Sequence, residues 1–310
     1  LRSLVGSEMC IRDRYGSGNP SNTNSLNISE STVDENIFEI KEGTLIKVLE
    51  KKITEVIIPN NVIKIGEGAF KGTSLTKVVI PDSVITIGES AFHDIETLTD
   101  VTIGKNVENI GKDAFSLSQL ESVTIGNGVK QIGESAFAET KLSKVDIPNS
   151  VETIGKAAFS FSPLESVTIG NGVKQIGEFA FYGTELKEVD IPGNVNIIGN
   201  VAFKDSPIEK LTLNEGITTI GDSAFLGTKI EDLVIPHSVE TIGKGAFRTS
   251  PIKKLTLNEG ITTIGEFAFN ETQLKEVDIP GNVNIIGNVA FKDSPIEKLT
   301  LNEGITTIGD

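Results

Sequence analysis

The chain has 310 residues, 43 of them acidic and 28 basic, for a formal net charge of −15 and a hydrophobic fraction of 38%. That balance excludes a nucleic-acid groove, which needs clustered Lys and Arg, and simple adhesion to anionic lipid. It favours solubility and cationic partners, and no apolar run approaches the roughly 18 residues of a membrane-spanning helix.

Residues 1–14, LRSLVGSEMCIRDR, share nothing with the remainder of the chain and hold the single Cys (Cys10) and the single Met (Met9). They resemble a translated adaptor and are set apart from the fold as non-native. The rest has no Cys, so disulfide and thiolate chemistry are excluded there. It also has no Met, and the chain stops inside a unit at Gly309-Asp310, so the expectation is a fragment missing both natural ends. Residues 15–36 are rich in Ser, Asn and Gly and read as a polar flexible linker. In residues 37–52 the stretch FEIKEGTLIKVLEKK alternates well enough for a hairpin, expected as an N-terminal cap.

From residue 53 to 310 the chain repeats. The Phe of an Ala-Phe pair falls at Phe70, Phe92, Phe115, Phe137, Phe159, Phe181, Phe203, Phe225, Phe247, Phe269 and Phe291, at intervals of 22 with one of 23. A fixed period of this length means stacked units that bury a core only against their neighbours. The fold class expected is a repeat solenoid, leucine-rich-repeat-like, of mostly short parallel strands with tight turns or single helical turns, at about 22 residues per coil. In LESVTIGNGVKQIGESAFAET, Leu120 to Thr140, the first strand turns Leu120, Val123 and Ile125 inward and Ser122 and Thr124 outward. Gly126, Pro148 in the next unit, ends the strand at a corner. Val129 and Ile132 point inward from a second short segment. Gly133 is expected to take φ > 0 at a corner, and ESAF to form a single helical turn or tight arch that drops Ala136 and Phe137 into the core. Phe137, Phe159, Phe181, Phe203, Phe225, Phe247 and Phe269 are the expected core column.

A second period overlies the first. Unit ends alternate between Thr (Thr140, Thr184, Thr228, Thr272) and Ser-Pro (Ser162-Pro163, Ser206-Pro207, Ser250-Pro251, Ser294-Pro295), a 44-residue super-repeat. Leu186 to Asp222 and Leu274 to Asp310 are identical, displaced by 88 residues, which reads as recent duplication.

The pattern LxxVxIPxxVxxIGxxAF resembles the BspA-like leucine-rich repeat family, also called treponemal or type-5 leucine-rich repeats, from about Phe38 to Asp310. Cys, frequent in that family a few residues after Ala-Phe, is here Thr or Ser-Pro. The resemblance implies a surface or secreted protein with an adhesive role toward host or extracellular proteins. An intracellular scaffold, or a spacer for a catalytic domain outside this stretch, are the alternatives.

The candidate binding face is the pair of outward columns on the first strand, because the ladder face of a repeat protein is extended and regular. Its residues are Lys144, Asp146, Glu188, Asp190, Lys210, Thr212, Asp232, Lys254, Thr256, Glu276 and Asp278. The charges largely alternate, which also relieves repulsion between stacked strands. Asp146 and Asp190 sit two coils apart, about 9.6 Å by strand spacing, too far for one metal ion, so no metal or cofactor is expected. Nor is catalysis: His93 and His237 are more than six units apart and no Ser-His-Asp or Cys-His set can be assembled. The 23-residue interval, HDIETL at His93 to Leu98, is expected to bulge at the surface, and Phe161 and Tyr182 add aromatics to otherwise polar turns. Sequons stand at Asn27 and Asn270.

Overall fold

Alternating apolar residues followed by Pro, Asn or Gly make a short strand and then a corner. In the computed structural model, which describes residues 35–310, this happens once per unit. The long strands are Glu55–Ile57, Lys77–Ile80, Asp100–Ile103, Ser122–Thr124, Lys144–Ile147, Ser166–Ile169, Glu188–Ile191, Lys210–Leu213, Asp232–Ile235, Lys254–Leu257, Glu276–Ile279 and Lys298–Leu301. Past each corner lies a two-residue strand, from Lys64–Ile65 to Thr307–Ile308. The two-residue strands stack parallel and in register into one fourteen-stranded sheet, which begins with the antiparallel hairpin Phe38–Lys41 and Thr44–Val48. Leu45 and Val48 of the hairpin are fully buried. Residues 1–14, the linker expectation up to residue 34 and the Asn27 sequon lie outside the described residues.

The chain is therefore a repeat solenoid of parallel strands. Its core is linear, with Val129, Ile132, Ala136 and Phe137 fully buried in their unit. Phe92 to Phe291 form a continuous stack with ring centroids 5.0–5.5 Å apart and near-parallel planes. Each stacked pair adds about 0.5–1.5 kcal/mol beyond its buried area.

The arch that carries Ala-Phe is a pair of tight turns, with no helical turn at ESAF. Its left-handed residues are the positions of Ser135 (φ 51°) and Glu139 (φ 56°), repeated from unit to unit even where the residue is Phe179 or Val201. A left-handed residue with a Cβ costs about 1–2 kcal/mol. Hydrogen bonds to the next coil offset this, Ser135 N–H to Lys156 O at 2.8 Å and Glu139 N–H to Ser160 O at 2.9 Å. Gly133 is not among the positive-φ residues. It is glycine because a Cβ there would sit 2.6 Å from the Ile110 carbonyl oxygen. The expected conformational role is thus replaced by one of close approach.

The 44-residue period has a structural counterpart. In each Thr unit the hydroxyl is buried against the Ser of the following unit: Thr140 with Ser162 at 2.9 Å, Thr184 with Ser206 at 2.9 Å, Thr228 with Ser250 at 2.8 Å, and Thr272 with Ser294 at 2.8 Å. Each Ser Oγ also donates to the Phe carbonyl of the earlier coil, as Ser206 does to Phe181 O at 3.0 Å. The same coil pairs share their long-strand ladder. Lys144–Ile147 pairs with Ser166–Ile169, Glu188–Ile191 with Lys210–Leu213, Asp232–Ile235 with Lys254–Leu257, and Glu276–Ile279 with Lys298–Leu301. The long strands of successive pairs are not joined, although the two-residue strands are. From residue 144 onward the solenoid is built of two-coil doublets, open between doublets on the long-strand side only.

Candidate binding face

Strand alternation sets the outward side chains. All eleven candidate residues from Lys144 to Asp278 are exposed. Within a doublet, register puts acid opposite base or hydroxyl: Glu188 faces Lys210, Asp190 faces Thr212, Asp232 faces Lys254, Glu276 faces Lys298 and Asp278 faces Thr300. Lys210 Nζ reaches Glu188 Oε2 at 3.5 Å, and the Asn214 side chain donates to Asp190 at 2.7 Å. Thr168 Oγ1 donates to Asp146 Oδ1 at 2.8 Å, and Lys144 Nζ lies 3.2 Å from Asp146 Oδ2. The Thr168 hydroxyl holds the Asp146 carboxyl below its ordinary value, against the opposing effect of burial and with lesser help from Lys144. A lowered carboxylate pKa stabilises the fold above the unfolded pKa and loses that contribution as pH falls. These pairs are solvent-exposed, so each contributes little to stability. They set the pattern of the face.

Three clefts mark the open doublet junctions. One, of about 610 Å³, lies between Val167, Thr168 and Ile169 on one rim and Asp190 and Pro192 on the other. The next, about 650 Å³, separates Lys210 and Leu211 from Glu231 and Asp232. The third, about 550 Å³, separates Lys254 and Leu255 from Glu276 and Asp278. Nine of the eleven candidates, all but Lys144 and Asp146, belong to strands that border these junctions. Backbone groups of successive strand residues turn to opposite edges. Ser166 N–H bonds back to Ser143 O, and Lys187 O and Ile191 O accept from the following coil. Val167 and Ile169 therefore turn their N–H and C=O into the first cleft from one side, and Glu188 and Asp190 from the other. Among the described residues no backbone hydrogen bond joins 166–169 to 188–191. The inward side chains at these edges are also less covered: Val167, Leu211 and Leu255 are half-buried, whereas Val189, Leu233 and Val277 are buried.

The other singled-out residues fall elsewhere. His93 Nδ1 is 2.7 Å from Ser116 Oγ, and the exposed His237 lies 3.2 Å from Glu215 Oε1. In the 23-residue interval Glu96 and Thr97 face solvent, while Ile95 and Leu98 stay buried and anchor the loop. Phe161 is 56% exposed and meets Tyr182 edge-on at 4.8 Å, with Phe179 beside them, so the aromatics cluster on the turn side and not on the strand face. The Asn270 sequon side chain is nearly buried and bonded to Lys292 O at 2.7 Å, which closes it to a glycan. Among the described residues no group of three or more His, Cys, Asp or Glu is placed to hold a metal ion, and no helix is long and apolar enough to cross a membrane.

Strand, corner, short strand and Phe-bearing arch, stacked in parallel coils, define a leucine-rich repeat solenoid. A family profile for the BspA type leucine rich repeat region matches residues 47–163, 130–252 and 240–310. The chain belongs to that family. Among solved structures it is similar to a leucine-rich repeat protein from Bacteroides ovatus ATCC 8483, at 24% identity over 88% of each chain with a TM-score of 0.59. It is also similar to a leucine rich cell surface protein from Faecalibacterium prausnitzii A2-165, at 27% identity over 85% of each chain with a TM-score of 0.52. No curated protein sequence matches the chain.

Proposed function

We propose that this chain is a non-catalytic protein-binding module of a cell-surface or secreted adhesin-type protein, and that it grips host or extracellular proteins through the long-strand face. The observation that carries this reading is the conjunction on one face of an ordered charge pattern and clefts recurring every second coil. A partner laid along such a face meets an acid-to-lysine pair in each of the three doublets from Glu188 onward, with Val234 replacing Asp in the middle one, and weak repeated contacts add through effective concentration. The similar F. prausnitzii structure is described as a cell surface protein, which supports the location.

Binding to a panel of purified extracellular-matrix and serum proteins, read by biolayer interferometry, tests the proposal. The expected result is saturable binding of at least one panel member. A variant carrying Asp190→Lys, Lys210→Glu, Lys254→Glu and Asp278→Lys weakens that binding about tenfold or more, about 1.4 kcal/mol. A control with Gln131→Ala and Gln175→Ala on the short-strand side keeps it. No binding to any panel member, or equal loss in both variants, overturns the proposal.

A further inference from the structure

The corner between the long and the two-residue strand carries Asn in many units, and its environment differs from unit to unit. Asn106 donates to Asp82 O at 2.8 Å, and Asn149 Oδ1 accepts the Asn171 N–H at 2.8 Å. Asn214, Asn258 and Asn302 each donate to an Ile carbonyl of the previous coil at 2.8 Å. Asn194 donates to Asn171 O, and Asn282 to Glu259 O. Asn127 and Asn171 break the pattern: both are exposed, and neither side chain has a hydrogen-bond partner. They are also the two corner asparagines followed by glycine, Gly128 and Gly172. Asn60 and Asn61 have free side chains as well, but Asn61 and Val62 follow them.

The glycines are fixed by packing. A Cβ on Gly128 would lie 2.0 Å from Lys105 O, and one on Gly172 would lie 2.0 Å from Asn149 O. Neither glycine N–H donates to a carbonyl, since the turn bonds are made one residue later, by Val129 to Gly126 O and Val173 to Gly170 O. A free carboxamide, an unbonded following amide and no Cβ to shield it each favour attack of that nitrogen on the carboxamide carbon; at Asn171 the main chain must also turn against the bonds from its N–H to Asn149 and from Asn194 to its C=O.

We infer that Asn127 and Asn171 are sites of spontaneous deamidation in the folded protein. The Gly nitrogen attacks the Asn Cγ, a C–N bond forms, and the side-chain nitrogen leaves as ammonia, taking the proton that the attacking amide loses. The resulting cyclic imide adds water at one of its two carbonyls, giving aspartate or, with the main chain routed through the former side chain, isoaspartate. Either product adds a negative charge at the corner. At position 171 that charge arrives in the first cleft, beside Asp190 and Asn214. The inference rests on corner geometry alone and stands or falls apart from the binding proposal.

The test is to incubate the folded protein at mildly alkaline pH and follow it by peptide-resolved mass spectrometry, with isoaspartate distinguished by electron-transfer fragmentation. A parallel sample is unfolded in urea. In the folded sample the one-dalton mass gain is expected at Asn127 and Asn171 several-fold faster than at Asn60, Asn61 or Asn149. It disappears from the corresponding peptide in Asn127→Gln and Asn171→Gln variants, whose longer side chains form the imide much more slowly. Reaction at both sites in urea but at neither in the folded sample would show that the corner holds them, and would overturn the inference. So would native rates no faster than those at Asn60 and Asn61.

Discussion

Phe181→Ala lowers the unfolding free energy by about 3–5 kcal/mol, the range for a buried Phe truncated to leave a cavity. Phe181 is fully buried, with the rings of Phe159 at 5.4 Å and Phe203 at 5.0 Å on its two sides. The substitution removes both stacking contacts and leaves a void that neighbouring coils cannot fill, because their backbones are tied by ladders on either side of it. Each coil contacts only its neighbours, so the loss concentrates at one point of a nearly one-dimensional array. Equilibrium urea denaturation checks this. The expected result is a lowered midpoint and a broadened or split transition as the two flanking arrays uncouple. A loss below about 1 kcal/mol would mean that the Phe column is not continuous in solution.

Gly177→Ala is expected to be of comparable severity, at about 3 kcal/mol, the upper part of the range for inserting atoms into a packed interior. Gly177 N–H bonds to Ile154 O at 2.9 Å, and an added Cβ would lie 2.6 Å from the carbonyl carbon of Gly155 and 2.8 Å from Ile154 O. Those atoms are backbone and cannot swing aside. The coils must separate locally, which loosens the continuous sheet of two-residue strands. Thermal melting of Gly177→Ala beside Gln175→Ala, an exposed residue of the same strand, separates the clash from general tolerance. Equal melting temperatures would contradict the close approach.

Much of the architecture was legible because a solenoid writes its core as a period. The Ala-Phe marks, the inward Val and Ile and the outward Ser and Thr of one unit carry over to every unit, so one assignment places a dozen coils. The role of Gly133 was not legible. Positive φ and close packing both demand glycine, and only the position of Ile110 O decides between them. The arch was likewise open to a helical turn, since a tolerance for left-handed Phe179 and Val201 has no signature in a single residue. The alternation of Thr with Ser-Pro was visible, and duplication accounted for it. Its physical content needed partners a full coil apart, such as Thr184 with Ser206. Pro207 lacks the N–H with which Lys229, at the same position one coil later, bonds to Ile208 O. The two kinds of coil therefore cannot engage their predecessors in the same way. Strand alternation accounts for the exposure of the eleven face residues, but the clefts between them follow from missing ladder bonds, which no residue type announces.

The doublet is the claim on which the face depends, and residue-resolved amide hydrogen exchange of the folded protein tests it most directly. Open-edge amides exchange ahead of amides paired inside a doublet. Val167, Glu188 and Asp190 should therefore lose their protons markedly faster than Thr168 and Thr212, and the contrast should recur 44 residues on, at Leu211 and Asp232 against Thr256. Equal protection across the junctions would mean a ladder that runs unbroken on the long-strand side, with no clefts and no two-coil unit.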